Sequence, residues 1–373
     1  MYVTFFWALV LLFAYRQKNR AKHFLGFFMI TASVLYFCHA IFFNKYYTIY
    51  LYFEPVYAFA SLSVYPLYYW YIKLLTVETE IYYRNLWRLF PALFIGFIMA
   101  VIYFIMSPLE REIFINHYLL NQQTGNPESV LIDLQKWVYR VERFVFAFQV
   151  IFFLVYGSKL VVRYNERIAN FYSNLESKTI MWVRLLLFSF VVTSIVSMIF
   201  NLIGKSAFFD EVLLLSIPSI LFSVLLFLIG LQGYMQNYTV VDLETDETQS
   251  VHLDTKSYNT HKLNEHLLEL FENEAIYKNP DLKITHLSEM LHTNRTYISK
   301  HINTEYSCTF NDFVNKYRID EAKRLLTNDS LKSYSLNYIS EKSGFGSMGS
   351  FMRVFRDMEG MTPGKFREKM MTS

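Results

Sequence analysis

Apolar runs of membrane-spanning length crowd the first 238 residues and then stop. Val3 to Tyr15, Phe24 to Phe43, Tyr47 to Leu75, Leu86 to Met106, Trp137 to Val162, Ile180 to Ile203 and Val212 to Leu231 are built almost wholly of aliphatic and aromatic side chains. A spanning helix needs about 20 such residues, and six of the seven runs are long enough unaided. The first offers only thirteen, roughly 20 Å at about 1.5 Å rise per residue. It crosses only if Arg16 and Lys18 snorkel and the bilayer thins locally. The pattern predicts seven spans, with six as the alternative.

Charge follows the same division. Residues 1–238 carry 18 Lys and Arg against 12 Asp and Glu, residues 239–259 one against five, and residues 260–373 16 against 15. Only 18% of the whole chain is charged, where a soluble domain has closer to a quarter. The chain therefore reads as a membrane half (1–236), an acidic linker (237–259) and a water-soluble half (260–373). Disorder is excluded, because it needs low hydrophobicity and high net charge. Cys38 and Cys308 supply neither a disulfide framework nor metal-ligand spacing, so no metal and no cofactor are expected. The apolar start lacks a basic leader and a small-residue cleavage site, so a removed signal peptide is not expected.

Orientation follows from the loops. Arg16, Lys18, Arg20 and Lys22 follow the first run, Lys73, Arg84 and Arg88 the third, and Arg163, Arg167, Lys178 and Arg184 surround the fifth loop, eleven in all. The intervening loops carry Lys45, Arg111, Lys136 and Lys205. The positive-inside rule puts the richer side, and with it the C-terminal half, in the cytoplasm. The connection from Ser107 to Lys136, with its Gly125-Asn126-Pro127 turn signal, is too short for a separate sensor domain. His39, Glu54, Arg140, Glu142 and Arg143 fall at similar depth near the outer leaflet. Ionisable groups there are costly and face a partner or a cavity. Two readings stand: a structural ion pair with interfacial snorkelling, or a sensing pocket formed by His39, Glu54, Arg140 and Arg143 whose signal passes down spans six and seven into the linker.

Helical periodicity returns after the linker. Leu263, Leu267, Leu270 and Phe271 mark one buried helix face. Thr285 is expected to cap a short helix through Leu291, His292 to take a left-handed turn conformation, and Asn294 to cap a second helix with Ile298 and Ile302 inward. A longer helix opens on Thr309 and Asp312 as a variant capping box and buries Phe310, Phe313, Val314, Tyr317, Ala322, Leu325 and Leu326. The first pattern then recurs. Ser335 caps a helix with Leu336 and Ile339, Gly344 turns at positive φ, Ser347 caps a helix with Phe351 and Phe355 inward, Gly360 ends it, and Thr362-Pro363 starts a last helix. The expected fold class is all-α: a transmembrane helical bundle followed by a domain with two helix-turn-helix units flanking one connecting helix. In such a unit the second helix enters a DNA major groove.

Residues 260–371 resemble the DNA-binding domain of the AraC/XylS family of bacterial transcription regulators. The resemblance rests on the connecting-helix run from Tyr317 to Leu326 and on Gly344-Phe345, Ser347, Phe351, Arg353, Phe355, Gly360, Thr362-Pro363 and Phe366-Arg367. His292 stands where that family usually has Gly, and Gly349-Ser350 replaces a polar-aromatic pair, which costs the last recognition helix roughly 1 kcal/mol. The resemblance covers about 30% of the chain and does not reach the membrane half. It implies base contacts from Thr296, Ser299 and Lys300 and from Met348, Gly349, Met352 and Arg353.

The helix faces left over by the inward residues add Arg295 and Ser350, with Asn303 near the end of the first recognition helix. Arg and Lys donate to guanine or phosphate, Ser and Thr to either, and methyl groups meet thymine. Arg353 is alternatively an anchor for the fold through a salt bridge, and Lys300 a solvated surface charge. The expected partners are double-stranded promoter DNA and the bilayer. A second copy of the chain, RNA polymerase and a small-molecule or membrane-stress effector are further candidates. The expected location is the bacterial inner membrane, and the function that of a one-component, non-enzymatic regulator. A transporter or channel with an appended regulatory domain is the alternative. It is disfavoured by the lack of charged midplane residues and broken helices. A membrane enzyme finds no nucleophile–base pair, metal cluster or glycine-rich loop to support it.

Overall fold

The computed structural model describes residues 1–13, 20–77, 83–119, 129–176, 178, 195, 212–236, 243, 260–328 and 334–371. All of the sixth apolar run but Ile195, nearly all of the acidic linker, the Gly125 turn and the basic residues Arg16 and Lys18 lie outside the described residues. What is described is helical, with one isolated antiparallel bridge between Tyr172 and Lys283. The expected all-α class is observed.

The chain divides into two compact units, residues 1–162 with 180–240 and residues 163–179 with 241–373. The first contains α1 (Tyr2–Phe13), α2 (Arg20–Phe43), α3 (Tyr47–Thr76), α4 (Phe90–Ile105, entered by a 3-10 turn Tyr83–Leu89), α5 (Pro108–Ile113), most of α6 (Val130–Ala169) and α7 (Val212–Met235). Helix α2 packs between α1 and α3, α3 against α4, and α1 against α7. Interlocked aromatic rings fill these contacts: Phe24 meets Trp70 at 4.7 Å and Phe28 meets Tyr68 at 5.4 Å between centroids. Both pairs are tilted, at 52° and 41° between ring planes, within the centroid range in which aromatic pairs attract.

The expectation of seven spans is corrected. Among the described residues three helical segments are long and apolar enough to cross a membrane: Arg20–Phe43, Tyr83–Ile105 and Val130–Ala169. Helix α1 has 12 residues, about 18 Å at 1.5 Å each, against a hydrocarbon core of about 30 Å. Helix α3 is 30 residues long, but tyrosines, serines, Glu54 and Lys73 dilute its apolar character. Of the last run, Ser219–Met235 is described as a shorter apolar helix. Helix α6 is the opposite case. Its 40 residues extend about 60 Å, and its polar last turns, from Arg163, belong to the second unit.

The second unit holds α8 (Thr260–Glu272), α9 (Ile284–Met290), α10 (Arg295–Glu305), α11 (Phe310–Leu326), α12 (Leu336–Lys342), α13 (Met348–Glu359) and α14 (Pro363–Met371). Helix α11 is its axis. Its N-terminal half packs Phe313 edge-on against Phe271 of α8, with ring centroids 4.9 Å apart, and Phe310 and Val314 are buried beside it in the sequence, as Leu263 and Leu267 are on α8. Its C-terminal half carries Ile319, Ala322, Leu325 and Leu326 into a core with Ile339, Phe345, Phe351, Phe355 and Phe366. The unit also takes in residues 163–179, which the sequence reading left with the membrane half.

Candidate DNA interface and the buried polar cluster

Two helix–turn–helix pairs hang from α11. In the first, α9 ends at Met290 and the chain turns through His292 at φ 48°. Asn294 then accepts a hydrogen bond from the Thr296 amide at 2.8 Å and starts α10. In the second, α12 ends at Lys342, Gly344 turns at φ 85°, and Ser347 Oγ accepts from the Ser350 amide at 3.1 Å to start α13. His292 and Gly344 solve the same backbone problem, and only the glycine does so without a Cβ penalty. Asn294, Ser335, Ser347 and the Thr309–Asp312 pair all cap as expected, and Gly360 closes α13 at φ 70°. Thr285 does not cap. It sits buried inside the first turn of α9, whose leading residue is Ile284. The Ile284 amide, left open at the helix start, donates at 3.0 Å to the carbonyl of Phe171, more than a hundred residues earlier in the chain.

Inward residues orient both second helices. Ile298, Ile302, Phe351 and Phe355 are wholly buried, so the opposite faces are presented outward. Thr296, Lys300 and Asn303 are exposed on α10, with Arg295 and Ser299 half-buried. On α13, Gly349 and Arg353 are exposed and Met348, Ser350 and Met352 half-buried. No ion pair to Arg353 occurs among the described residues, so the fold-anchoring alternative for it has no partner there. The Arg295 guanidinium lies over the Phe171 ring at 5.6 Å.

The residue that sequence reasoning missed is Arg318. It is 1% exposed in the middle of α11, and four hydrogen bonds hold it. Nε donates to Tyr277 O at 2.8 Å, Nη2 to Asn279 O at 2.8 Å and to Ser173 Oγ at 3.1 Å, and Nη1 to Ser173 O at 3.1 Å. Burial pushes its pKa down to about 10, with Asp281 opposing the shift. The signal was present, since 314, 318, 322 is the i, i+4, i+8 row that buries Val314 and Ala322. One turn on, Glu321 is bound by Arg324 at 2.7 Å and Lys278 at 2.9 Å. These hydrogen bonds hold its carboxyl down at about 2, against a cost of burial.

In the first unit the ionisable residues separate into two groups. Glu54 is wholly buried on α3 and accepts a hydrogen bond from the Tyr103 hydroxyl on α4. Glu142, 6% exposed on α6, accepts from Ser61 Oγ of α3 at 3.1 Å. His39 packs its ring on Tyr57 at 5.1 Å. Arg143 lies over Tyr139 at 4.6 Å, whereas Arg140 is exposed over Trp137 at 5.9 Å. The two carboxylates thus cross-link α3 to α4 and to α6 through hydroxyl groups, and Arg140 stands apart from them.

A pair of capped helix-turn-helix units on one connecting helix defines a DNA-binding domain. Residues 287–369 match the protein family described as a helix-turn-helix domain. An 89-residue stretch is 29% identical to a protein of Bacillus subtilis (strain 168) named as the uncharacterized HTH-type transcriptional regulator YtdP, covering 24% of this chain and 11% of that relative. The chain therefore spans about a tenth of the length of that relative. No solved structure matches. The C-terminal segment thus matches a helix-turn-helix domain of the AraC type, and the relative it is similar to is named as a transcriptional regulator.

Proposed function

We propose that the protein is a membrane-embedded, one-component transcription regulator of the bacterial inner membrane. Its C-terminal domain lies in the cytoplasm and reads promoter DNA through α10 and α13. The observation that carries this reading is the outward presentation of Thr296, Lys300, Gly349 and Arg353 on two capped helices whose other faces are locked into cores. Arg295, Ser299, Met348, Ser350 and Met352 complete the contact faces. A membrane setting for the first unit is supported by the large apolar side chains its helices expose, among them Phe97 (69%), Phe104 (86%) and Phe144 (78%). A monomeric soluble protein rarely leaves such a surface uncovered.

The domain is close to neutral overall, so DNA affinity comes from a local basic face and falls steeply with salt. Gel shift and footprinting of the full-length protein in detergent, using the promoter beside its own gene, test the reading. Specific retardation with two protected major-groove segments is expected, and a chain that binds no duplex at low salt overturns it. The membrane unit is read as sensor as well as anchor. Glu54 and Glu142 tie three helices together through hydroxyl donors, Tyr103 on α4 and Ser61 on α3, so a change in either bond alters how those helices pack. A ligand or bilayer stress acts on such an equilibrium only by favouring one packing over the other.

A further inference from the structure

We propose that Phe171, in the segment following α6, is a positioning residue for DNA binding that sets Arg295 at the head of the first recognition helix. This rests on the reading of α10 as a groove-entering helix. Residues 171–174 are built into the second unit by main-chain and side-chain bonds. The Ser173 amide donates to Leu282 O at 3.1 Å and the Ile284 amide to Phe171 O at 3.0 Å, the two bonds flanking the Tyr172–Lys283 bridge. The Ser173 carbonyl accepts from Asn311 Nδ2 at 2.7 Å as well as from Arg318.

This short strap therefore caps α9 and completes the coordination of the buried arginine. It also reaches the start of both recognition helices. The Phe171 ring, 3% exposed, lies under Arg295, the first residue of α10. Asn174 lies against Gly346, just before the Ser347 cap of α13, where an added Cβ would come within 2.6 Å of its Nδ2. An arginine held in one place only by solvent must give up roughly 2 kcal/mol of rotamer freedom to bind a phosphate. Held over a ring, the guanidinium is already partly restricted, so part of that cost is met before DNA arrives. The ring belongs to the loop between two apolar runs, so DNA affinity is tied to the placement of a segment continuous with α6.

The test measures affinity of the full-length protein in detergent for a random-sequence duplex across a salt series. Arg295→Ala is expected to flatten the log–log salt slope by about 0.9, one phosphate contact. Phe171→Leu is expected to weaken binding about two- to five-fold, the value of a cation–π contact at a partly exposed site, and to add nothing in the Arg295→Ala background. Phe171→Tyr keeps the ring and is expected to keep the affinity. If Phe171→Leu strips hydrogen-exchange protection from the Ile284 amide, Arg295→Lys carries the test. It keeps the charge and the slope but is expected to show the same two- to five-fold loss. Tighter or unchanged binding in whichever of these variants carries the test, or a full additive loss in the Phe171→Leu/Arg295→Ala double variant, overturns the proposal. A null effect of Arg295→Ala with Lys300→Ala still weakening binding overturns the positioning role alone. A null effect of both overturns the recognition-helix reading beneath it.

Discussion

Three glycines of the DNA-binding unit sit in three different environments, and alanine at each should give a different sign and size of effect. Gly344 turns at φ 85°, and a Cβ there would lie 2.5 Å from Tyr277 O and 2.6 Å from Lys278 Cα. The left-handed backbone alone costs an alanine about 1–2 kcal/mol. The clash is with main chain rather than a movable side-chain tip, which adds the roughly 1–3 kcal/mol typical of overpacking. The displaced atom is also the carbonyl that accepts from Arg318 Nε, so the strain falls on the most buried charge of the unit. The total is about 2–5 kcal/mol. Gly360 shares the positive φ, at 70°, but nothing lies within 4 Å of its added Cβ, so Gly360→Ala should cost only the backbone term of about 1–2 kcal/mol. Gly349 is inside α13 with only Ser347 Oγ near, at 3.9 Å, and Gly349→Ala should stabilise by about 1 kcal/mol through helix propensity. Hydrogen exchange of the α11 amides in the full-length protein reads the stability of this unit alone. Protection should drop about 30-fold to a few thousand-fold for Gly344→Ala, at about tenfold per 1.4 kcal/mol. It should drop far less for Gly360→Ala and rise for Gly349→Ala. A Gly344→Ala protein no less protected than Gly360→Ala would refute the reasoning.

Lys300→Ala and Arg353→Ala should weaken DNA binding by distinguishable routes. Loss of a base contact costs about 1–3 kcal/mol and relaxes preference at one position, whereas loss of a phosphate contact weakens all sequences alike and flattens the salt slope. Hydroxyl-radical footprints should show two major-groove segments about 34 Å apart, one helical turn, and protection confined to one segment would count against two working units. In acid, Glu321 contributes stability that is fully present above its ordinary value near 4.5 and is lost as pH falls toward about 2. Urea unfolding followed by exchange in α11 should weaken across that window, and Glu321→Gln should flatten the decline. Glu54→Gln should change promoter-reporter output in cells at unchanged protein level. If Glu54→Gln, His39→Ala and Arg143→Ala all leave output unchanged, the membrane unit is an anchor without a sensing role.

Local chemistry made most of the second unit legible in one dimension. Asn294, Thr309, Ser335 and Ser347 cap because a short side-chain acceptor before an apolar period satisfies amides that a helix start leaves open. Gly344 and Gly360 turn because a residue without Cβ tolerates positive φ. The i, i+4 rows of Ile298 with Ile302 and Phe351 with Phe355 set which faces turn outward, and with them the candidate contact residues. The membrane half was less readable. Apolar content counts residues without weighing tyrosine-rich stretches such as α3 or short ones such as α1, so the sequence suggested more spans than the described helices provide.

What the sequence determined, then, was the caps, turns and inward rows that make two helix-turn-helix units, because each depends on neighbours within a few residues. The tertiary structure decided what depends on partners far along the chain. Thr285 lies inside α9 rather than before it, because the helix starts one residue earlier, where the Phe171 carbonyl accepts from the Ile284 amide. Arg318 is buried as a charge because Ser173, 145 residues away, supplies acceptors that no local pattern announces. The fifth loop joined the DNA-binding unit through a main-chain bridge, and backbone hydrogen bonds carry almost no side-chain signature. Glu54 met Tyr103 across two helices for the same reason: periodicity reports which face of an element is buried, and only packing reports what it is buried against.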